Sequence, residues 1–425
     1  MKRYLLFWAL LTGLIILAVA VFNLVVDPYG LFRLVDRPGF NSIKPKAGTH
    51  GAMAKAYQVL RVQPRGLILG NSRAEVGLDP EHPAWPQNAR PVFNLALPGT
   101  GTQTTLNYLQ HALANSKNAG VPKLELVVWG IDFMDFLVDA AVPPPSSQMV
   151  KKDLRLLVTS DGSRNPERPV QQLRDYTEST LTLAAFLDSV DTLANRRNPY
   201  SEDLTPLGFN PMRDYLKITA DEGYRAVFRQ KDIENVKAYL RRPKDIFDAS
   251  GQSSPALADL RQIVNLCRKN RIPLHLVIYP YHAHLMEIIH ITGHWPAFEA
   301  WKRAVAQVAG EGKLNTESTV LLWDFSGFSE ITSETIPDSK DRRTTMRWYW
   351  EAGHFKRELG DLILNRIFAP TDAHDGFGVL LNRANVDAQI ATLNSQETAY
   401  RHKHPQDVEE LENIAVQMRA QQQKR

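Results

Sequence analysis

Five short apolar runs, continuous rather than alternating, constrain the fold of this 425-residue chain more than any other feature in it. They occupy residues 66–69, 91–97, 124–131, 273–280 and 319–325. Runs without a polar face suit strands buried on both sides of a sheet. Helix-like stretches at 102–116, 255–270 and 296–309 separate several of them. Strands alternating with helices imply right-handed crossovers, and so an α/β domain with a doubly wound, mainly parallel, five-stranded sheet.

The N-terminus adds a membrane element. Lys2 and Arg3 precede an uncharged run over residues 4–26. The 22 residues from Leu5 would span about 33 Å as a helix, enough for a bilayer core. The basic flank predicts a cytoplasmic N-terminus with the bulk of the chain exported. Ala18-Val19-Ala20 also fits a small-residue cleavage site, but the apolar run continues past it, so an uncleaved single-pass anchor in the inner membrane is expected. The single cysteine, Cys267, forms no internal disulfide and suits an exported domain that does without them. It recurs with Leu260, Ile263 and Val264 at helical spacing, which predicts a buried apolar role. The net charge of +4 is spread along the chain and leaves no footprint for nucleic acid.

Taken in order, residues 1–30 are the anchor, 31–370 the α/β domain and 371–425 a C-terminal tail, exposed or disordered. Residues 31–50 read as a linker or an irregular approach to the domain, and residues 52–62 as a helix closed by Pro64. An insertion at about 140–250 opens with Pro143-Pro144-Pro145 and is polar and helix-leaning. Insertions this long serve as lids or binding subdomains, or are peripheral excursions. No internal repeat is visible.

Each strand-like run ends in glycine or polar residues. The first ends in Gly70-Asn71-Ser72-Arg73, the second in Pro98-Gly99-Thr100-Gly101 and the third in Gly130-Ile131-Asp132. The fourth ends in Tyr281-His282-Ala283-His284 and the fifth in Asp324-Phe325-Ser326. In a parallel sheet such ends converge on one crevice, where ligands bind. Ser72 then has two readings. Ser72-Arg73-Ala74-Glu75 matches a capping box, in which the serine only starts a helix; Ser72 also sits where a nucleophile would. A hydroxyl needs a base, and the base needs an orienting partner. Glu351-Ala352-Gly353-His354, just before a closing helix-like stretch, offers both.

The ordered set Gly70-Asn71-Ser72-Arg73, Asn94 with Gly99, the Gly130–Asp132 turn and Glu351-x-x-His354 resembles the SGNH (GDSL-like) hydrolase superfamily. More narrowly, the N-terminal anchor, the Val26-Asp27-Pro28-Tyr29-Gly30 exit, and the late Asp324-Phe325-Ser326 and His354-Phe355 resemble its membrane-anchored branch. Some members of that branch work in O-acetylation of exported polysaccharides. The resemblance covers roughly residues 26–370 without most of the insertion. It implies a flavodoxin-like sheet of SGNH type, with Ser72 as nucleophile, His354 as base and Glu351 as orienting acid. It implies an oxyanion hole from the Ser72 and Gly99 amides, and no cofactor. The chain departs from the family in having Asn71 where Asp is usual, Glu351 for Asp, and Asp132 nearest the position of an oxyanion-donating Asn. An ionised Asp132 would repel an oxyanion, and each lost donor costs on the order of 10²–10³ in rate.

The expected function is a serine esterase or O-acyltransferase acting on a cell-envelope or secreted glycan, with Asn71, Arg73 and His282 contacting substrate. The alternative is a non-catalytic scaffold that binds glycan or an envelope-assembly protein. A metal site at His282, His284, Glu287 and His290 is a third reading, but their spacing fits no ligand signature, and no metal is expected.

Overall fold

The computed structural model describes residues 1–116, 120–141, 153–241, 243–311, 319–370 and 376–423. Pro143-Pro144-Pro145, where the insertion opens, lies outside the described residues. The chain begins with α1 (Lys2–Val26), one 25-residue helix that is long and apolar enough to cross a membrane or act as a signal anchor. Asp27 ends it in a left-handed conformation. The Asp27 carboxylate accepts hydrogen bonds from the amides of Leu31, Phe32 and Arg33 at 2.8, 3.0 and 2.6 Å. Lys44 Nζ donates to the Val26 and Asp27 carbonyls at 3.1 and 2.8 Å. The approach at 31–50 is thus a set of turns fastened to the helix end, and it takes up the carbonyls that a helix terminus leaves without partners.

The domain proper starts with α2 (Gly51–Val62), β1 (Gly66–Leu69), α3 (Ser72–Gly77), β2 (Val92–Asn94), α4 (Thr102–Asn115) and β3 (Leu126–Ile131). A short strand β4 (Val138–Asp139) leads into the insertion, built from α5 (Arg168–Leu181), α6 (Leu183–Ala194), α7 (Arg213–Glu222) and α8 (Tyr224–Leu240). At the far end of the insertion β5 (Lys244–Asp245) pairs antiparallel with β4, so the excursion leaves and returns at one place. Next come α9 (Pro255–Lys269), β6 (Leu274–Ile278), α10 (Ala283–Ile291), α11 (Trp295–Gly310) and β7 (Val320–Asp324). Ser254 and Pro255 start α9 by side-chain capping of the Ala256 amide and a preset φ. Cys267 lies on that helix's buried face, and burial pushes its thiol up to about 12.

A small antiparallel hairpin, β8 (Tyr349–Glu351) and β9 (His354–Phe355), precedes α12 (Arg357–Phe368). The chain closes with β10 (Val379–Leu381), α13 (Val386–Lys403) and α14 (Pro405–Gln423). The central sheet therefore has six strands rather than five, in the order β10-β7-β6-β3-β1-β2, parallel except for β10. β1 to β3 and β6 are buried along nearly their whole length, as continuous apolar runs require. The segment expected as a tail supplies the sixth strand and two helices, α13 against α11 and α14 against α8 and α10. Strand order reverses between β1 and β3, which opens a crevice beyond their carboxyl ends. Ser72 follows β1 and Asp132 follows β3.

Candidate active site

The turn after β1 is shaped by Gly70, whose φ of +140° a side chain rarely adopts. A Cβ there would also lie 2.6 Å from the Tyr279 hydroxyl and 2.9 Å from the Gly130 carbonyl, so only glycine lets β1, β3 and β6 end this close together. Asn71 then caps α3, its side-chain oxygen accepting from the Arg73 amide at 3.1 Å. Ser72 is the first helical residue and not the cap, which removes the capping-box reading. Glu75 does not reach back to the cap either; its carboxylate is buried and accepts from Lys55 Nζ at 2.8 Å.

The Ser72 hydroxyl is left for His354. Its Oγ lies 2.8 Å from His354 Nε2, and His354 Nδ1 is hydrogen-bonded to Glu351 Oε1. Glu351 is almost completely buried, and its other oxygen accepts from the Gly353 amide at 2.6 Å. Burial pushes the Glu351 carboxyl up, but the facing imidazole, their hydrogen bond and the Gly353 amide outweigh it and hold the group below its ordinary value. An ionised Glu351 fixes the proton on Nδ1. Nε2 is then the acceptor for the serine proton, the tautomer a general base needs.

Two contacts set the distance between serine and histidine. The β8–β9 hairpin places Glu351 opposite His354, and the ring of the next residue, Phe355, lies close against Gly77 at the end of α3. A Cβ on Gly77 would fall 2.0 Å from that ring, so the missing side chain is what allows the approach. Asn94 is also structural, its amide donating to the Ala74 and Leu78 carbonyls at 2.9 Å each and tying α3 to β2.

Ser72 starts α3, so its amide is among those with no carbonyl a turn earlier to bond, as an oxyanion donor requires. Gly99 lies at φ +66° in the turn after β2, and that turn is bound to the serine turn by the Leu97 amide donating to the Gly70 carbonyl at 3.0 Å. Asp132 is engaged from three sides. Arg73 forms an ion pair with it, Asn71 Nδ2 donates to it at 2.8 Å, and the Tyr281 hydroxyl donates to its other oxygen at 2.9 Å. The Met134 amide donates to that same oxygen at 3.3 Å, so its charge is met by a cation and three donors, which lowers the repulsion expected from an isolated carboxylate.

The remaining expectations come out differently. Arg73 and Asn71 face Asp132 rather than an open pocket. His282 is buried, caps α10 through Nδ1, and donates from Nε2 to the Glu334 carbonyl at 3.0 Å; burial pushes it down to about 3. It is a neutral structural histidine, because a ring with both nitrogens used inside the fold has none left for substrate. His284 pairs with Asp232 at 2.9 Å, and Asp324 with Lys302 at 2.7 Å. No group of three or more metal-ligating side chains occurs among the described residues. Of the five strand ends, the first and third meet at the site with Tyr281 of the fourth, three residues beyond the end of β6, and the second carries Gly99. Sequence reading missed Tyr281, Asp135 and the Lys55–Glu75 pair; only Tyr281 carried a local signal, its place at a strand end. No protein-family model matches the chain, and no curated protein or solved structure matches it.

Proposed function

We propose that this protein is a membrane-anchored serine esterase or O-acyltransferase, its α/β domain on the exported side, acting on acyl esters of a cell-envelope or secreted glycan. The observation that carries the reading is the continuous line Ser72 Oγ–His354 Nε2, His354 Nδ1–Glu351, drawn from the start of α3 and the β8–β9 hairpin, 282 positions apart in sequence. In this reading His354 takes the serine proton as Oγ attacks the ester carbonyl. The alkoxide leaves with that proton, and the acyl group passes from Ser72 to water or to a sugar hydroxyl. The Ser72 and Gly99 amides stabilise the oxyanion. A cavity of about 470 Å³ lies beside α3, with Val76, Leu216 and Trp350 as apolar and aromatic walls and Arg347 as a cation; Ser72 and His354 do not line it, so it serves in this reading as a neighbouring subsite for the sugar or acyl group. The basic Lys2-Arg3 flank supports the orientation.

The test is hydrolysis of acetyl esters, and covalent labelling by a fluorophosphonate, with wild type compared with Ser72→Ala and His354→Ala. Each variant is expected to lose on the order of 10⁴–10⁶ in kcat, and Ser72→Ala to lose all labelling. Equal turnover in the three proteins, or no labelling of wild type, would reject the catalytic reading in favour of a binding scaffold.

A further inference from the structure

Helices α5 and α6 form a hairpin whose polarity is inverted. The side turned into the protein carries Gln171, Asp175 and Ser179 on α5, and Ser189 and Thr192 on α6, all buried. Asp175 accepts from the Tyr57 hydroxyl at 2.7 Å, from Arg155 Nε at 2.9 Å and from Gln171 Nε2 at 2.8 Å. The outward side carries Val170, Leu173 and Leu181 on α5, and Leu183, Leu187 and Val190 on α6, from 46% to 72% exposed. These positions recur at helical spacing and make an apolar stripe along α6 and, interrupted by Thr177, along α5. A helix pair facing water is arranged the other way round, because exposed apolar surface is what the hydrophobic effect removes.

The hairpin is also fixed to the membrane helix. Asn23 Nδ2 donates to the Thr180 carbonyl at 2.9 Å, Ser189 Oγ donates to Asn23 Oδ1 at 2.9 Å, and the Phe22 and Phe186 rings lie 5.4 Å apart. The tip of the hairpin therefore sits beside Asn23, about 4.5 Å along the axis from the end of α1. Residues 2–18 of α1 are exposed, and a helix of its length spans a hydrocarbon core of about 30 Å with its last turns at the interface. A bilayer that takes up α1 must meet the leucines of α5 and α6 at the same depth. Arg174 is exposed on α5, and Arg196 and Arg197 are exposed in the turn just beyond α6, which supplies cations for lipid phosphates.

We infer that the α5–α6 hairpin is a second membrane contact, its apolar face lying in the interfacial layer of the bilayer that α1 crosses, with lipid acyl chains as its occupant. It rests on α1 being an anchor. It holds the domain against the bilayer at two points, which fixes the domain's tilt and height where a single helix would leave it free to swivel.

Full-length protein in phosphatidylethanolamine–phosphatidylglycerol vesicles carrying nitroxide-labelled lipids tests this directly. An environment-sensitive fluorophore is placed on Leu183→Cys or Leu187→Cys. Leu14→Cys in α1 is the depth reference, and Val416→Cys, 61% exposed on α14, is the aqueous reference. Native Cys267 is fully buried and does not label. Shallow nitroxides are expected to quench positions 183 and 187 severalfold more than 416, with 14 quenched by deep ones. Quenching at 183 and 187 no greater than at 416, with 14 still quenched, overturns the inference and leaves the anchor standing. Blue-shifted emission at 183 and 187 without quenching also overturns it, because protein rather than lipid would then cover the stripe. If position 14 is not quenched, the anchor reading fails and the inference falls with it.

Discussion

Asp135 is the residue in the site whose protonation state the fold sets most visibly. Burial pushes its carboxyl up to about 6, against the pull of the Arg73 guanidinium and the Asn71 amide, which donates to it at 3.3 Å. A carboxyl whose folded value lies above its ordinary 3.8 binds its proton more tightly folded than unfolded. Folding stability therefore falls as pH rises from about 4 to about 6, and stays lower above that. At about 1.4 kcal/mol per unit the loss has a ceiling near 3 kcal/mol, and solvent at this half-buried group brings it lower. Asp135→Asn removes the titration. It is expected to raise the melting temperature relative to wild type at pH 8 and to change it little at pH 4. An equal difference at both pH values would refute the assignment. Asp135 stands three residues beyond Asp132, and nothing in its local sequence marks it. Its role comes from being folded under Asn71 and Arg73, a contact that spans more than sixty positions.

At the level of elements, the short helix α3 matters most, because six residues cannot hold a nucleophile by helix propensity alone. α3 is held by Asn94 at one end, by Phe355 against Gly77, and by the buried pair of Lys55 and Glu75. Lys55 also donates to the Ala96 carbonyl at 2.6 Å, so one ammonium joins α2, α3 and the end of β2. Lys55→Met leaves Glu75 buried without a counter-charge, which costs about 3–5 kcal/mol. It is expected to slow fluorophosphonate labelling of Ser72 as α3 loosens. Lys55→Met combined with Glu75→Leu should recover most of the melting temperature, since an apolar pair of similar volume is often no less stable. A double variant no more stable than Lys55→Met would show that the pair is not the unit that matters. The start of α3 also marks what local reading can do. Ser-x-x-Glu is a capping box by spacing, but Asn71 one position earlier takes the cap, and Glu75 finds its partner twenty residues away. The Glu351-x-x-His354 spacing was legible because its two residues face each other within one tight hairpin.

The whole molecule divides into a half that local pattern reveals and a half that it hides. β1, β2, β3, β6 and β7 were legible as apolar runs, because burial on both faces leaves little polar sequence in them. β10 was not: it is three residues long, pairs antiparallel at the edge, and exposes Leu380. Likewise the many polar and charged residues of α13 and α14 hide a buried face, formed by Ile390 and Leu393 on α13 and by Leu411, Ile414 and Met418 on α14. These helices pack across α8, α10 and α11 and add the Arg225–Asp407 ion pair at 3.0 Å. Those five side chains with Leu381 contribute on the order of 10 kcal/mol of burial at about 1.5–3 kcal/mol each. That is comparable to the roughly 5–15 kcal/mol that keeps a domain folded. A chain ending at residue 370 should therefore not retain the native fold. It is expected to aggregate or to melt without a cooperative transition, and to lose labelling at Ser72 although β1 stands four strands away from β10 in the sheet. A monodisperse 1–370 protein with the wild-type melting temperature would instead make the last two helices an appendage, and the buried face on α13 and α14 would need another explanation.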